Sequence, residues 1–168
     1  MPQQPDCPTM VGLLGPVTVS GEPVAGLRAR RLLVSLVLAE GRPRSAQRLI
    51  DDVWADDPPR APGPALQTQI SRLRPVLGDA VIEGVGTSYR LTGVDTDLAQ
   101  ANRLLADGEP DGITRAAALW RGQPGDDLGD DSPLADDVAR RAEAIRRRLD
   151  DATANRALRD GDFAGARA

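Results

Sequence analysis

The chain has 168 residues, 40% of them hydrophobic and 27% charged, with a formal net charge of −4, the balance of a globular protein with room for a modest core. It contains no His and no Lys, so all 21 basic residues are Arg; histidine acid/base chemistry, Schiff bases and a phosphate-gripping Walker lysine are thereby excluded. Cys7 is alone and has no base nearby, which rules out a disulfide framework and leaves an inert thiol. No stretch approaches the roughly 20 apolar residues of a membrane span, and the first residues lack the pattern of a secretory signal.

These absences point to a cytoplasmic non-enzyme that needs no cofactor or metal and no membrane. Charge is uneven along the chain. Residues 1–92 hold 10 Arg against 9 acids, whereas residues 93–168 hold 11 Arg against 16. A change of character near residue 93 predicts two units.

Residues 1–9 (MPQQPDCPT) read as a disordered leader. "MVGLLGPVTVSGEPVAGL" alternates short apolar runs with Gly15-Pro16 and Gly21-Glu22-Pro23, so two or three short strands joined by turns are predicted. "RARRLLVSLVLAEG" carries Leu33, Leu36 and Val37 at helical spacing, with Gly41 as the stop. Ser45 is a good N-cap for the next helix, in which Ala46, Leu49, Ile50, Val53 and Trp54 share one face until Pro58-Pro59.

A third helix follows "RAPGP", with Leu66, Ile70, Leu73 and Leu77 as its apolar stripe and Gly78 as its end. Its opposite face carries Thr68, Ser71 and Arg72, with Gln67 and Arg74 on one shoulder and no acid. "AVIEGVGTSYRL" then predicts a hairpin whose turn contains Gly84 and Gly86. Sheet, three helices and hairpin over residues 10–93 is the order of a winged helix-turn-helix, whose third helix enters the major groove with the hairpin as a wing.

The blocks "LLGPVTV", "RPRSAQRLIDDVWADDPP" and "ALQTQISRLRPVLGDAVIEGVGTSYRL" resemble the OmpR-type winged-helix domain of the Streptomyces antibiotic regulatory protein family. "ALWRGQPGDDLGD" is similar to the Leu-Trp-Arg-Gly block of that family's bacterial transcriptional activator domain. The resemblance covers nearly everything after residue 9. It implies a sequence-specific transcriptional activator of secondary-metabolite genes that binds promoter direct repeats, contacts RNA polymerase and places two copies on the DNA. Carried over to this sequence, the DNA-binding positions are Gln67, Thr68, Ser71, Arg72 and Arg74 on the helix, with Thr87 and Arg90 on the wing. Arg forks onto guanine O6 and N7 or a phosphate, Gln pairs with adenine, and Ser or Thr bonds to either kind of edge. Pro75, Glu83 and Ser88 depart from the family pattern. Pro75 removes a helix hydrogen bond and predicts a kink in the last turn, and Glu83 brings a negative charge to the wing. An interaction module with a degenerate winged helix is the alternative reading.

Residues 94–168 read as helical. Leu98, Ala101, Leu104 and Leu105 share one face, and Ile113, Ala116, Ala117 and Trp120 another. Ser132-Pro133 caps a long helix with Leu134, Val138, Ala142, Ile145, Leu149 and Ala152 inward. The resemblance implies tetratricopeptide-like packing, although no 34-residue repeat is visible. The arginine runs at 140–141 and 146–148 are read as a self-neutralised face, through Asp136–Arg140, Asp137–Arg141 and Glu143–Arg147 at i, i+4. "GDDLGDDSPLADD" lacks the alternating ligands and closing Glu of a calcium loop. The final "GDFAGARA" reads as the start of another helix pair, so the second unit is expected to be truncated. The fold class expected is therefore mainly α with small β.

Overall fold

The computed structural model describes residues 8–107, 111–130 and 132–159. Strands β1 (Thr9–Gly12), β2 (Thr18–Val19) and β3 (Glu22–Pro23) open the chain. They are followed by α1 (Leu27–Leu38), β4 (Arg44–Ser45), α2 (Ala46–Trp54) and α3 (Pro62–Leu73). The hairpin is β5 (Val81–Val85) and β6 (Ser88–Thr92). Then come β7 (Val94–Thr96), α4 (Asp97–Ala106), α5 (Gly112–Ala117) and α6 (Pro133–Arg159). The described part is mainly helical with two small sheets, as the sequence predicts.

Helix α1 is the centre of the molecule. Residues Arg31 to Leu38 are all buried, which is what a helix apolar on every side requires. It packs against α2, α3, β6 and α6. Ser45 caps α2 as expected, its hydroxyl accepting the Arg48 N–H at 3.2 Å. Beneath α2, Asp52 is buried and receives Ser35 Oγ at 2.6 Å and Arg44 Nη1 at 2.9 Å, with Arg48 Nε 3.0 Å from its other oxygen.

Several expectations need correction. Gly84 lies within β5, and the turn is the two-residue pair Gly86-Thr87 between Val85 and Ser88. Gly86 takes φ 60, a left-handed conformation such turns demand. Helix α3 does not run on to Gly78. Pro75 has no N–H to give the Ser71 carbonyl, so the α ladder stops at Leu73 and a 3-10 turn covers Arg74–Val76. Helix α5 ends at Ala117, which is exposed rather than inward, and the Arg121 N–H goes to Leu14 O at 2.7 Å instead of continuing the helix. Ser132 Oγ, expected to cap α6, is buried with no hydrogen-bond partner among the described residues.

A change at residue 93 does not divide the packing. Strand β7 lies beyond it yet pairs in parallel with β1, giving the sheet order β3-β2-β1-β7. Thr9, counted in the leader, is buried in β1 and donates its hydroxyl to Leu77 O at 2.9 Å. One hydrophobic cluster contains Val11, Leu36 and Ile70 together with Leu128, Leu134 and Ile145. A polar seam reinforces it. The Asp97 carboxylate accepts the Leu13 and Leu14 N–H groups at 2.8–2.9 Å and Arg121 Nη2 at 2.9 Å. Asp127 accepts the Val17 N–H at 2.9 Å, and Arg31 Nε donates to Leu128 O at 2.8 Å.

The arginines of α6 are paired differently from the i, i+4 expectation. Arg140 meets Asp137, Arg141 reaches Glu40 at 2.6 Å, and Arg146 stacks over Trp120 at 5.0 Å. Glu143–Arg147 forms as predicted at 3.5 Å. Tertiary packing brings Glu40 and Trp120 closer than helix spacing brings the local acids. No helix among the described residues is long and apolar enough to cross a membrane.

Candidate nucleic-acid interface

Helix α3 starts on Pro62 with Pro64 two positions on. Both lack an N–H where the first turn has no acceptor to offer, so neither is penalised. Leu66, Ile70 and Leu73 are buried against the core, with Leu77 beneath the turn that follows. This fixes the helix rotation and leaves Gln67, Thr68, Ser71 and Arg72 exposed, as the spacing predicts.

The partners of each side chain distinguish them. Thr68 Oγ1 donates to Pro64 O at 3.0 Å, one turn back, leaving its oxygen free to accept. Gln67 Nε2 hydrogen-bonds the Tyr89 hydroxyl on β6. Arg74, beyond the end of α3, donates Nη2 to Ile82 O on β5 at 3.2 Å. Helix and hairpin are therefore tied at two points, one from each strand. The side chains of Ser71 and Arg72 make no hydrogen bond or ion pair among the described residues. Arg72 also lines a groove of 650 Å³ shared with Leu27, Arg28 and Val76, between the start of α1 and the end of α3. Arg28 lies 5.9 Å over the Trp54 ring.

The hairpin is less basic than its sequence suggests. Glu83 and Arg90 face each other across β5 and β6, and Arg90 donates Nε at 3.1 Å and Nη2 at 2.5 Å to Glu83 Oε2. Arg90 is half-buried within the strand, while Thr87 is exposed in the turn. Of the seven expected residues, the structure therefore gathers Gln67, Thr68, Ser71 and Arg72 on one open face. Arg74 and Arg90 are drawn into bonds with the hairpin, and Thr87 stands at its tip. Tyr89 and Arg28 were not singled out from sequence. Tyr89 alternates toward the α3 side of β6, but its pairing with a residue 22 positions away has no local signal.

Residues 25–91 match the family described as "Transcriptional regulatory protein, C terminal". The chain is 35% identical over 130 residues to regulatory protein AfsR of Streptomyces coelicolor, covering 67% of this chain and 13% of AfsR. AfsR of Streptomyces griseus is 32% identical over 163 residues, covering 82% of this chain and 16% of that protein. Transcriptional regulatory protein EmbR of Mycobacterium bovis is 30% identical over 144 residues, covering 71% and 37% respectively. The chain thus spans well under half the length of these relatives. Mycobacterium tuberculosis EmbR, solved in complex with a low-affinity phosphopeptide, superposes with a TM-score of 0.75 at 24% identity, over 94% of this chain and 47% of that one. The shared fold therefore extends past the hairpin into the helical part. The chain is homologous over part of their length to AfsR and EmbR, regulators of the Streptomyces antibiotic regulatory protein family, and its residues 25–91 match the OmpR-type winged-helix domain of transcriptional regulators.

Proposed function

We propose that the chain binds duplex DNA sequence-specifically through the open face of α3, and acts as an activator of a secondary-metabolite pathway. The observation that supports this most is the acid-free surface of Gln67, Thr68, Ser71 and Arg72, braced by the hairpin through Gln67–Tyr89 and Arg74–Ile82. Such a face offers a guanidinium fork for guanine or phosphate, hydroxyls and an amide for other base edges, and little freedom to lose on binding. Arg72 is assigned to base edges or an adjacent phosphate, Thr68 and Ser71 to the groove floor, and Thr87 with the remaining donors of Arg74 to the backbone. Arg90 keeps Nη1 outside its pair with Glu83, and turns its Nε–Nη2 fork to a phosphate by exchanging Glu83 for it.

Binding to promoter direct repeats by two copies and contact with RNA polymerase complete the proposal, on the strength of the family resemblance. Titration of labelled promoter DNA tests the central part. Arg72→Ala is expected to cost about 1–3 kcal/mol of specific binding, and the parent's affinity to fall steeply with salt as counterions are released. Equal, weak and sequence-blind binding by parent and variant would instead favour the interaction-module reading, for which the neutralised Arg90 is the supporting feature.

A further inference from the structure

A cleft of 410 Å³ opens where α1, α4 and α6 meet, on the seam between the winged helix and the helical part. Its floor is apolar, formed by Leu13, Val37, Leu98 and Ile145. Its rim is charged, with Arg141 and Arg148 from α6, Glu40 from the end of α1 and Asn102 from α4. The volume lies within the roughly 300–1,000 Å³ typical of small-molecule sites, and the combination of apolar lining with a few convergent polar groups is their usual make-up.

The rim charges select the ligand. Arg141 is already occupied by a carboxylate, that of Glu40 at 2.6 Å. Arg148 has only a neutral partner: Nη1 donates to Asn102 Oδ1, and Asn102 is itself anchored by its amide to Leu98 O at 3.1 Å. The Nε–Nη2 edge of Arg148 has no partner among the described residues. That edge is the planar two-donor fork that a carboxylate matches. Two arginines against one glutamate leave a single net positive charge, which suits a monoanion better than a phosphate dianion. At the same rim Glu40 holds φ 54, a left-handed backbone that non-glycine residues seldom adopt and that concentrates at binding sites.

We propose that this cleft binds a small monocarboxylic acid, its carboxylate on the Nε–Nη2 edge of Arg148 and its apolar body on Val37, Leu98 and Ile145. The occupant would touch α1, which also packs against α3, so the site faces both parts of the molecule. It stands independently of DNA binding.

Calorimetric titration of the chain with octanoate tests it, with octylammonium as the charge-reversed control. Octanoate is expected to bind at one saturable site with submillimolar affinity, and octylammonium not to bind. Arg148→Gln should weaken octanoate by about tenfold or more, a change of about 1.4 kcal/mol or greater. Ala144→Trp, at an exposed α6 position on the cleft wall, should block binding while leaving the melting temperature in place. No saturable octanoate binding at millimolar concentration overturns the proposal. So does equal binding of octylammonium, or octanoate binding that survives both substitutions.

Discussion

Asp97 holds the β1–β2 loop against the helical part, and Asp97→Ala measures what that contact is worth. The residue is 4% exposed and its two oxygens serve the N–H groups of Leu13 and Leu14, both of them fully buried, together with Arg121. Alanine leaves two buried N–H donors with no acceptor, at about 1–3 kcal/mol each, and removes a charge-assisted bond to the guanidinium. Recovering the cost of burying the carboxylate offsets part of this, so the expected loss is about 3–5 kcal/mol, a large fraction of the 5–15 kcal/mol of a typical domain. Arg121→Ala should cost less, about 1–3 kcal/mol, because its side chain is 37% exposed and water fills the space it leaves, although the buried Asp97 carboxylate loses its guanidinium and Pro16 O its donor. Urea unfolding of parent and both variants, compared at equal m-values, gives the two numbers. A loss below about 1 kcal/mol for Asp97→Ala, or a larger loss for Arg121→Ala, would show that the backbone donors are not what the aspartate serves.

Three further outcomes follow from the same contacts. Gly125 has φ 86, and a Cβ there would sit 2.7 Å from the Ala135 carbonyl oxygen, so Gly125→Ala should lower stability by about 1–3 kcal/mol in the same urea assay. The Arg141 hydrogen bond holds the Glu40 carboxyl below the ordinary carboxylate value, against the opposing effect of burial. Its contribution is therefore full above the unfolded-state pKa and lost as pH falls through the lower folded-state one; carbon NMR titration should find the Glu40 midpoint rising in Arg141→Gln. Glu83→Gln frees Arg90 for phosphate, and should tighten DNA binding and steepen its salt dependence by about one counterion; an unchanged slope in the titration would place Arg90 away from the duplex.

The sequence reveals an element where its own periodicity decides the outcome. Helices α2 and α3 have apolar residues at i, i+3 and i+4, and burial of Leu49, Val53, Leu66 and Ile70 follows directly. The same periodicity places the exposed face of α3, since inward leucines dictate outward threonine, serine and arginine. Strand β7 offers no such pattern. Three residues, Val94–Thr96, become a strand only because β1, more than eighty positions away, presents a free edge to them. Asp97, Arg121 and Asp127 look like ordinary solvated charges until packing encloses them. The Glu83–Arg90 pair is an intermediate case: once the turn is set at Gly86-Thr87, antiparallel register puts these two opposite one another. Misplacing the turn toward Gly84 hid a pairing that the sequence contained.

The seam also bears on the acidity that tells against a nucleic-acid partner. Residues 93–168 carry all of the acid excess, yet several of those carboxylates do not face solvent as free negative charge. Asp97 is consumed by backbone donors and Arg121, Asp127 by the Val17 N–H and Arg30, and Asp95 by Arg103. These contacts lie on the β1–β2 loop, the start of α1, β7 and α4. The exposed face of α3 contains no acid at all, and the helix packs against α1 and α2. With exposed charges screened beyond about 8–10 Å at physiological salt, a net charge of −4 says little about the potential over Arg72. The one acid on the strands of the adjoining hairpin, Glu83, is already paired with Arg90.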